Sequence, residues 1–217
     1  MPNFYNRERK YVLSTNYKVM YSTLTHQENL SSINKKKLLL FKYCFWIRFY
    51  LLVRDPYTRL ESFYKDKFIN HPLSEEYDEN YGWQHSQRIF FPYLDLKETD
   101  SFDHIKNTLI STKFSDFITM LPNVFLKDRH LVPQNHISRV RYRALTFHIQ
   151  YRKILKVEDK DAISWLNKYL GVNTKVRYNT TEHVNDEIVW DSRSVEIVNQ
   201  LYYEDFREYK YTMKSPA

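Results

Sequence analysis

The sequence is poor in glycine, with only two in 217 residues. The G-x-x-x-x-G-K-[ST] loop that holds the phosphates of nucleoside triphosphates is absent, which excludes kinases and NTPases of that class. The single cysteine, Cys44, excludes an intramolecular disulfide and any cysteine-based metal site. The eight histidines show no metal-ligand spacing, so we expect no metal.

The sequence also lacks an apolar run long enough to cross a membrane. The most apolar region, residues 38–53, is interrupted by Lys42 and Arg48. Residues 1–10 are polar and contain no apolar stretch of signal-peptide length. We therefore expect a soluble, cytoplasmic protein without a membrane partner, built as a single domain over residues 1–217.

Positive charge is in excess, with 33 basic against 26 acidic residues and a net charge of +7. This balance fits an anionic partner, such as a phosphorylated nucleotide, a polyanion or a nucleic acid. A nucleic-acid-binding protein would cluster its basic residues on one face, whereas Lys and Arg are spread among acids in this sequence. We therefore expect no nucleic-acid partner.

Predicted strands alternate with predicted helices along the chain. The predicted strands are residues 18–24, 45–53, 123–127 and 149–157. The predicted helices are residues 31–41, a helix from Pro56, residues 114–121, a helix capped by Asp159 and ended by Gly171, and residues 195–206. This alternation favours a mainly parallel sheet flanked by helices, in which ligands bind beyond the carboxyl ends of the strands.

The most informative segment is residues 51–68, which read L-L-V-R-D-P-Y-T-R-L-E-S-F-Y-K-D-K-F. An apolar strand leads into Arg54, and Asp55-Pro56 is a typical helix start. The apolar residues of the helix recur at helical spacing and are expected to face a core: Leu60, Phe63, Tyr64 and Phe68. Ser62 lies on another face, in line with Arg54. An arginine and a hydroxyl at the end of a strand suit a phosphate monoester. The alternative is a salt-bridged arginine and a surface serine on an ordinary helix.

This segment resembles the 3′-phosphate-binding segment of sulfotransferases that use 3′-phosphoadenosine 5′-phosphosulfate (PAPS), in particular their carbohydrate branch. The family pattern V-R-D-P-x-x-R-L-x-S-x-Y-x-x-K-F is matched at every fixed position. The resemblance implies a three-layer, P-loop-like α/β fold. It also implies that Arg54 and Ser62 hold the 3′-phosphate of the donor.

Later segments resemble the same family in the right order. Residues 130–134 are similar to its H-x-x-P-Q segment, residues 156–159 to its K-x-E-x segment, and residues 203–206 to the end of its Y-x-x-D-F segment. The resemblance implies that a base removes the proton of the acceptor, for which we consider His130 first and Glu158 second.

The sequence departs from the family at its lysine-bearing turn, roughly I-P-K-x-A/G-S-T, which cradles the 5′-phosphosulfate. With a strand predicted over residues 18–24, the turn falls on residues 25–30, and His26 stands in place of the lysine. We therefore predict that His26 takes a catalytic role on the 5′ side, where Thr25, Gln27 and Asn29 also contact the donor.

Two interpretations follow from this turn. The chain is either an active sulfotransferase with a substituted site, in which Lys18 or another lysine takes over, or an inactive nucleotide-binding or scaffold relative. The acceptor of an active enzyme would be a hydroxyl or amine of a carbohydrate or of a small natural product. The polar and aromatic residues 70–103 are expected to carry acceptor-binding surface, with four candidate lining residues: Tyr77, Tyr81, Trp83 and His85.

Overall fold

The computed structural model describes residues 2–73, 82–142, 145–174 and 188–216. Two compact units are formed. The first comprises Met1–Asp55, Gln134–Thr180 and Arg207–Tyr211. The second comprises Pro56–Pro133, Thr181–Phe206 and Thr212–Ala217. The single domain over residues 1–217 stays a prediction.

The first unit contains the strands β1 (Asn3–Asn6), β2 (Tyr11–Ser14), β3 (Ser31–Ser32), β4 (Arg48–Val53), β5 (Arg139–Tyr142), β6 (Leu145–His148) and β7 (Lys153–Lys156). Five of these form a mixed sheet in the order β3-β1-β2-β4-β7. β4 is parallel to both β2 and β7, whereas β1 is antiparallel to β2 and β3. β5 and β6 form a separate antiparallel pair. The prediction of an α/β protein with a parallel central sheet is thus confirmed for β2, β4 and β7.

Helices account for most of the remaining described structure. They are α1 (Tyr21–Thr25), α2 (Lys35–Lys42), α3 (Pro56–Tyr64), α4 (His71–Leu73), α5 (His85–Arg88), α6 (Phe102–Ser111), α7 (Phe114–Val124), α8 (Lys160–Trp165), α9 (Ser192–Leu201) and α10 (Tyr203–Tyr209). π-helical turns extend α3 through Lys65–Asn70 and α8 through Leu166–Leu170. Across the described ranges, no helix combines the length and the apolar character needed to span a bilayer.

Both faces of the central strands are buried in the first unit. Leu13 and Leu52 belong to one apolar cluster, and Val12 and Phe49 belong to another. Side chains alternate between the two faces of a strand, so a strand covered on both sides is apolar at every position. The sequence of β2, Tyr-Val-Leu-Ser, accordingly shows no alternation and is buried throughout.

The second unit has an aromatic core. Phe63 of α3 stacks on Phe117 of α7 at a centroid distance of 5.7 Å, and Phe68 meets Phe90 edge-on at 5.1 Å. Leu60 and Tyr64 are buried as well, so the predicted core face of the helix that begins at Pro56 is confirmed.

Several predicted elements differ from the observed ones. Residues 123–127 are not a strand, because α7 continues to Val124 and a turn follows. The predicted helix 31–41 is the short strand β3 followed by α2, which Asn34 caps by accepting from the Lys37 N–H. The predicted strands 45–53 and 149–157 are shorter, as β4 and β7. The predicted last helix is interrupted at Tyr202.

The helix after Asp159 agrees with the prediction at both ends. The Asp159 carboxylate accepts from the Asp161 N–H at 2.9 Å. Gly171 ends the helix with a φ of +68°, a conformation that glycine adopts without steric cost.

Candidate active site

Three loops of the first unit begin at one edge of its sheet. Because β2, β4 and β7 are parallel, their carboxyl ends lie together. Thr15–Met20 follow β2, Arg54 and Asp55 follow β4, and Val157 and Glu158 follow β7. In α/β proteins, this edge is where ligands bind.

The turn between β2 and α1 is braced by its own polar side chains. The Thr15 hydroxyl donates to the Val19 carbonyl oxygen at 2.6 Å, and the Asn16 side chain accepts from the Tyr17 N–H at 2.8 Å. Lys18 and Met20 have φ angles of +64° and +56°. Left-handed backbone costs a non-glycine residue about 1 kcal/mol or more, and such strain is concentrated at functional sites.

This geometry corrects the predicted position of the turn. The strand predicted over residues 18–24 is wrong, because the strand is β2, the turn is residues 15–20 and α1 begins at Tyr21. The mistake has a physical origin. Four of the five residues 17–21 are apolar or aromatic, as in a strand, whereas β2 is only four residues long and lacks the alternation of a half-buried strand.

The four residues predicted on the 5′ side lie at the other end of α1. The Thr25 hydroxyl donates to the Ser22 carbonyl oxygen at 2.8 Å, and Nδ1 of His26 lies 2.7 Å from the same oxygen. Gln27 and Asn29 donate to the carbonyl oxygens of Asn173 and Gly171 at 3.1 and 3.0 Å. The contacts of Gln27 and Asn29 attach the turn after α1 to the segment after α8.

Arg54 is held through its backbone and through its side chain. Its N–H donates to Oε1 of Gln134 at 2.9 Å, and Nε2 of Gln134 donates to its carbonyl oxygen at 2.7 Å. Nη1 of Arg54 donates to the Lys18 carbonyl oxygen at 3.0 Å. The guanidinium is therefore attached to the lysine-bearing turn, and it is only half-buried.

Glu158 fixes the same loop from the side of β7. Its Oε1 accepts from the Asp55 N–H at 2.8 Å, and its Oε2 accepts from the Tyr211 hydroxyl at 3.2 Å. Both carboxylate oxygens thus contact the protein. Glu158 acts on the residue that follows Arg54, and the sequence alone did not indicate this.

In the second unit, Ser62 lies on α3 and is half-buried. Arg59 of the same helix is 1% exposed. Its guanidinium donates to the carbonyl oxygens of Val132 and Leu131 at 3.1 and 3.3 Å, and it lies 5.4 Å from the centroid of the Tyr202 ring. The fixed arginine of the helix motif therefore anchors the H-x-x-P-Q segment.

His130 of the second unit is oriented by an aspartate. Its Nδ1 lies 2.7 Å from Oδ1 of Asp128, which also accepts from the His130 N–H at 2.7 Å. Burial of Asp128 opposes its ionisation, yet the hydrogen bonds and charge of His130 outweigh burial and hold the pKa of this carboxyl below its ordinary value. An ionised carboxylate on Nδ1 fixes the tautomer of an imidazole and leaves Nε2 as the basic atom.

The predicted acceptor-binding residues are described only in part. Tyr77 and Tyr81 lie outside the described residues. Trp83 stacks on Phe102 at 4.9 Å, and Nε2 of His85 lies 3.3 Å from the Lys127 carbonyl oxygen.

Sequence reasoning gave no role to Gln134, Arg59 or Asp128. All three are polar residues with at most 4% of their surface exposed. Gln134 and Arg59 occupy fixed positions of the family patterns, and those positions could have indicated that the two residues have a role. Asp128 precedes His130 by two residues, a spacing that allows the side-chain contact without requiring it.

Comparison with protein-family models gives a match over residues 4–212 to a model described as the sulfotransferase family. Neither the curated proteins nor the solved structures give a match. The matched range includes the turn with Lys18, the Arg54 loop, α3 and the His130 segment. The chain belongs to the sulfotransferase family.

Proposed function

We propose that this sulfotransferase takes its sulfuryl group from PAPS and transfers it to a hydroxyl or amine of a carbohydrate or a small natural product. The observation that carries the proposal is the link between Lys18 and Arg54. Two cationic residues on neighbouring loops are joined by a 3.0 Å hydrogen bond at the carboxyl edge of the parallel strands. The donor carries anionic groups at the 3′ and 5′ positions of its ribose, and two cationic residues on adjacent loops suit it.

We now propose Lys18, rather than His26, for the site that binds the 5′-phosphosulfate. With the turn placed at residues 15–20, the lysine of I-P-K-x-A/G-S-T aligns with Lys18, and the small A/G position aligns with Met20. Met20 has a φ of +56°, in the region that favours glycine. The lysine and this left-handed backbone support the new alignment over the former one, although Met20 and Tyr21 depart from the A/G and S of the pattern. His26, Thr25, Gln27 and Asn29 have a structural role at the end of α1, and we no longer propose them as donor ligands.

We keep Arg54 and Ser62 as the proposed ligands of the 3′-phosphate. The Gln134 amide fixes the backbone of Arg54, and the Lys18 carbonyl oxygen restrains its guanidinium, so less conformational entropy is lost when this guanidinium binds an anion. Lys156-Val157-Glu158-Asp159 supports the same loop through Glu158. We also propose the three-layer, P-loop-like fold that the resemblance implies, for which the parallel strands β2, β4 and β7 give support.

We propose His130 as the general base and give Glu158 a positioning role. Asp128 holds the imidazole, whose Nε2 would accept the proton of the acceptor as its oxygen or nitrogen attacks sulfur. When bound, PAPS supplies an activated sulfuryl group. The Lys18 ammonium would stabilise the negative charge that develops on the leaving phosphate oxygen. Glu158 is less suited to be a base because both its oxygens already accept hydrogen bonds.

The rival interpretation, an inactive relative, rested on the missing lysine. Lys18 in the corrected turn removes that reason. Transfer activity is therefore the expectation, with the acceptor to be found by screening carbohydrates and hydroxylated natural products.

The donor site can be tested without knowing the acceptor. Calorimetric titration with 3′-phosphoadenosine 5′-phosphate should give micromolar binding, and 5′-AMP, which lacks the 3′-phosphate, should bind at least tenfold more weakly, by roughly 1.4 kcal/mol or more. Arg54→Ala should remove this preference, since it removes the proposed partner of the 3′-phosphate. Arg152→Ala, on an exposed arginine, is the matched control. Equal affinity of both nucleotides for the unchanged protein would contradict the proposal.

A further inference from the structure

An exposed turn before β4 carries two large aromatic side chains at its corners. The turn is closed by a hydrogen bond from the Ile47 N–H to the Cys44 carbonyl oxygen at 3.0 Å, so Phe45 and Trp46 are its central residues. Phe45 is 93% exposed and Trp46 51% exposed, and their rings meet edge-on at 4.9 Å. Glycine, proline, asparagine and aspartate are the usual residues at such positions.

The apolar surface continues onto α2. Leu40 is 64% exposed and Tyr43 is 72% exposed. Together with Lys36 they recur at the i, i+4, i+7 spacing of one helix face. We call Leu40, Tyr43, Phe45 and Trp46 the turn patch. Contiguous exposed apolar residues of this kind mark an interaction surface more often than isolated ones do.

The net positive charge of the chain is concentrated around this patch. Residues 7–10 and 35–48 contain eight basic residues and one acid, Glu8. Taking these from the 33 basic and 26 acidic residues of the chain leaves 25 of each sign. The expectation of evenly spread charge is therefore wrong.

The two basic segments are neighbours in the first unit. Tyr11 of β2 pairs with Arg48 of β4, and the Arg48 N–H donates to the Lys10 carbonyl oxygen at 3.1 Å. The turn before β2 and the turn before β4 thus lie side by side at the amino edge of the parallel strands. This edge is opposite the one that carries Lys18 and Arg54.

We propose that the turn patch and its basic rim, formed by Arg7, Lys10, Lys36 and Arg48, dock the protein onto the surface of an anionic lipid bilayer. Aromatic side chains are favoured at the level of the headgroups, and lysine and arginine are attracted to anionic lipids. Long basic side chains also place their charge in the headgroup layer while their methylene groups cover apolar surface.

A lipid surface fits this composition better than a protein or a nucleic acid does. Protein interfaces are depleted in lysine, whereas residues 35–37 are three consecutive lysines. Proteins that bind single-stranded nucleic acids stack the bases on their aromatic side chains, but exposed Leu40 offers neither a ring nor a hydrogen bond. The proposed contact is peripheral and needs no spanning helix, so it revises the expectation of no membrane partner.

Cosedimentation with vesicles tests the proposal on the full chain. We expect binding to vesicles of phosphatidylcholine with phosphatidylserine and little binding to phosphatidylcholine alone. The double variant Phe45→Ser, Trp46→Ser should weaken binding by at least about tenfold, because two aromatic anchors are lost. Lys10→Ala and Arg48→Ala should each weaken it by about fivefold.

Matched controls come from the second unit. Leu126→Ser changes a residue that is 59% exposed, and Lys97→Ala changes an exposed lysine. Neither should alter vesicle binding. Unchanged titration with 3′-phosphoadenosine 5′-phosphate shows that each variant is folded, and it separates this proposal from that of the donor site.

Three results would overturn the proposal. The first is absence of binding by the unchanged protein to phosphatidylserine-containing vesicles. The second is a dimer in solution that the Phe45→Ser, Trp46→Ser variant abolishes, because the patch would then join two copies. The third is binding to a single-stranded oligonucleotide that displaces the vesicles and depends on both aromatic residues.

Discussion

At the scale of single residues, the proposed function is tested first at Lys18. We expect Lys18→Met to lower the rate of sulfuryl transfer by roughly 100- to 1000-fold, the usual cost of removing one group that stabilises developing charge. Lys18→Arg should keep part of the activity, because it keeps the positive charge. The rate is measured as release of 3′-phosphoadenosine 5′-phosphate from PAPS with an acceptor found by screening.

Lys36→Met is the control, since Lys36 is an exposed lysine of α2. It should leave the rate unchanged. Loss of activity in His26→Ala together with full activity in Lys18→Met would return the role to His26.

Asp128 gives a second prediction, because the direction of its pKa shift sets how it affects stability as the pH changes. Its folded-state pKa is depressed, so it stabilises the fold above the ordinary pKa of a carboxyl, and this contribution is lost as the pH falls through the folded-state value. We expect the stability of Asp128→Asn in urea to depend less on pH than that of the unchanged protein as the pH falls below about 5. Near neutral pH, its transfer rate should fall at least about tenfold, because His130 loses its orienting partner.

Asp116→Asn provides a comparison, because Asp116 lies in the first turn of α7. It should leave the transfer rate unchanged. An unchanged rate in Asp128→Asn would show that His130 does not act as the base.

At the scale of elements, the structure makes a prediction for the turn that carries Lys18. Met20 adopts left-handed backbone, yet its side chain packs against the apolar cluster of the first unit. Met20→Gly relieves the strain and loses the packing, whereas Met20→Ala loses the packing alone. We therefore expect the glycine variant to be more stable than the alanine variant by about 1 kcal/mol, measured by urea unfolding. Equal stability of the two would mean that the turn is not strained.

The elements that the sequence predicted well are those with local signals. Asp55-Pro56 marked the start of α3, and Asp159 and Gly171 marked both ends of the helical segment after β7. The resemblance of residues 51–68 to a segment of the family could be recognised for the same reason, because these residues are consecutive along the chain.

The predictions were wrong where contacts between residues that are far apart in the sequence determine the structure. β2 is four residues long and buried on both faces, so neither length nor alternation identified it, and the lysine turn was displaced as a consequence. The contacts of Gln134 with Arg54 and of Glu158 with Asp55 join residues that are 80 and 103 positions apart. No local pattern contains that information.

At the scale of the whole molecule, burial of tyrosine sets an alkaline limit to stability. Burial raises the pKa of Tyr11 to about 12, and its hydroxyl donates to the Leu170 carbonyl oxygen at 2.7 Å. The neutral form is favoured in the folded state, so its contribution is complete below the ordinary pKa of 10 and is lost as the pH rises from 10 to 12. Unfolding free energy should fall by about 2–3 kcal/mol from this residue over that range.

Tyr11→Phe tests this limit. It should lose about 1 kcal/mol near neutral pH, since a buried hydrogen bond is removed. Its alkaline destabilisation should be smaller, so the two stability curves should converge or cross above about pH 10. Tyr43→Phe, on a tyrosine that is 72% exposed, should follow the unchanged protein throughout.

The parallel strand β4 also separates the turn patch from the proposed donor site at Lys18 and Arg54. Its six residues span about 20 Å, more than twice the screening length of roughly 8 Å at physiological ionic strength. With the turn patch seated on an anionic bilayer, the negative potential of the lipid would be almost extinguished at Lys18 and Arg54. The enzyme would be tethered to a surface of the same sign as its donor, and the length of the strand would keep the donor beyond the range of most of the repulsion.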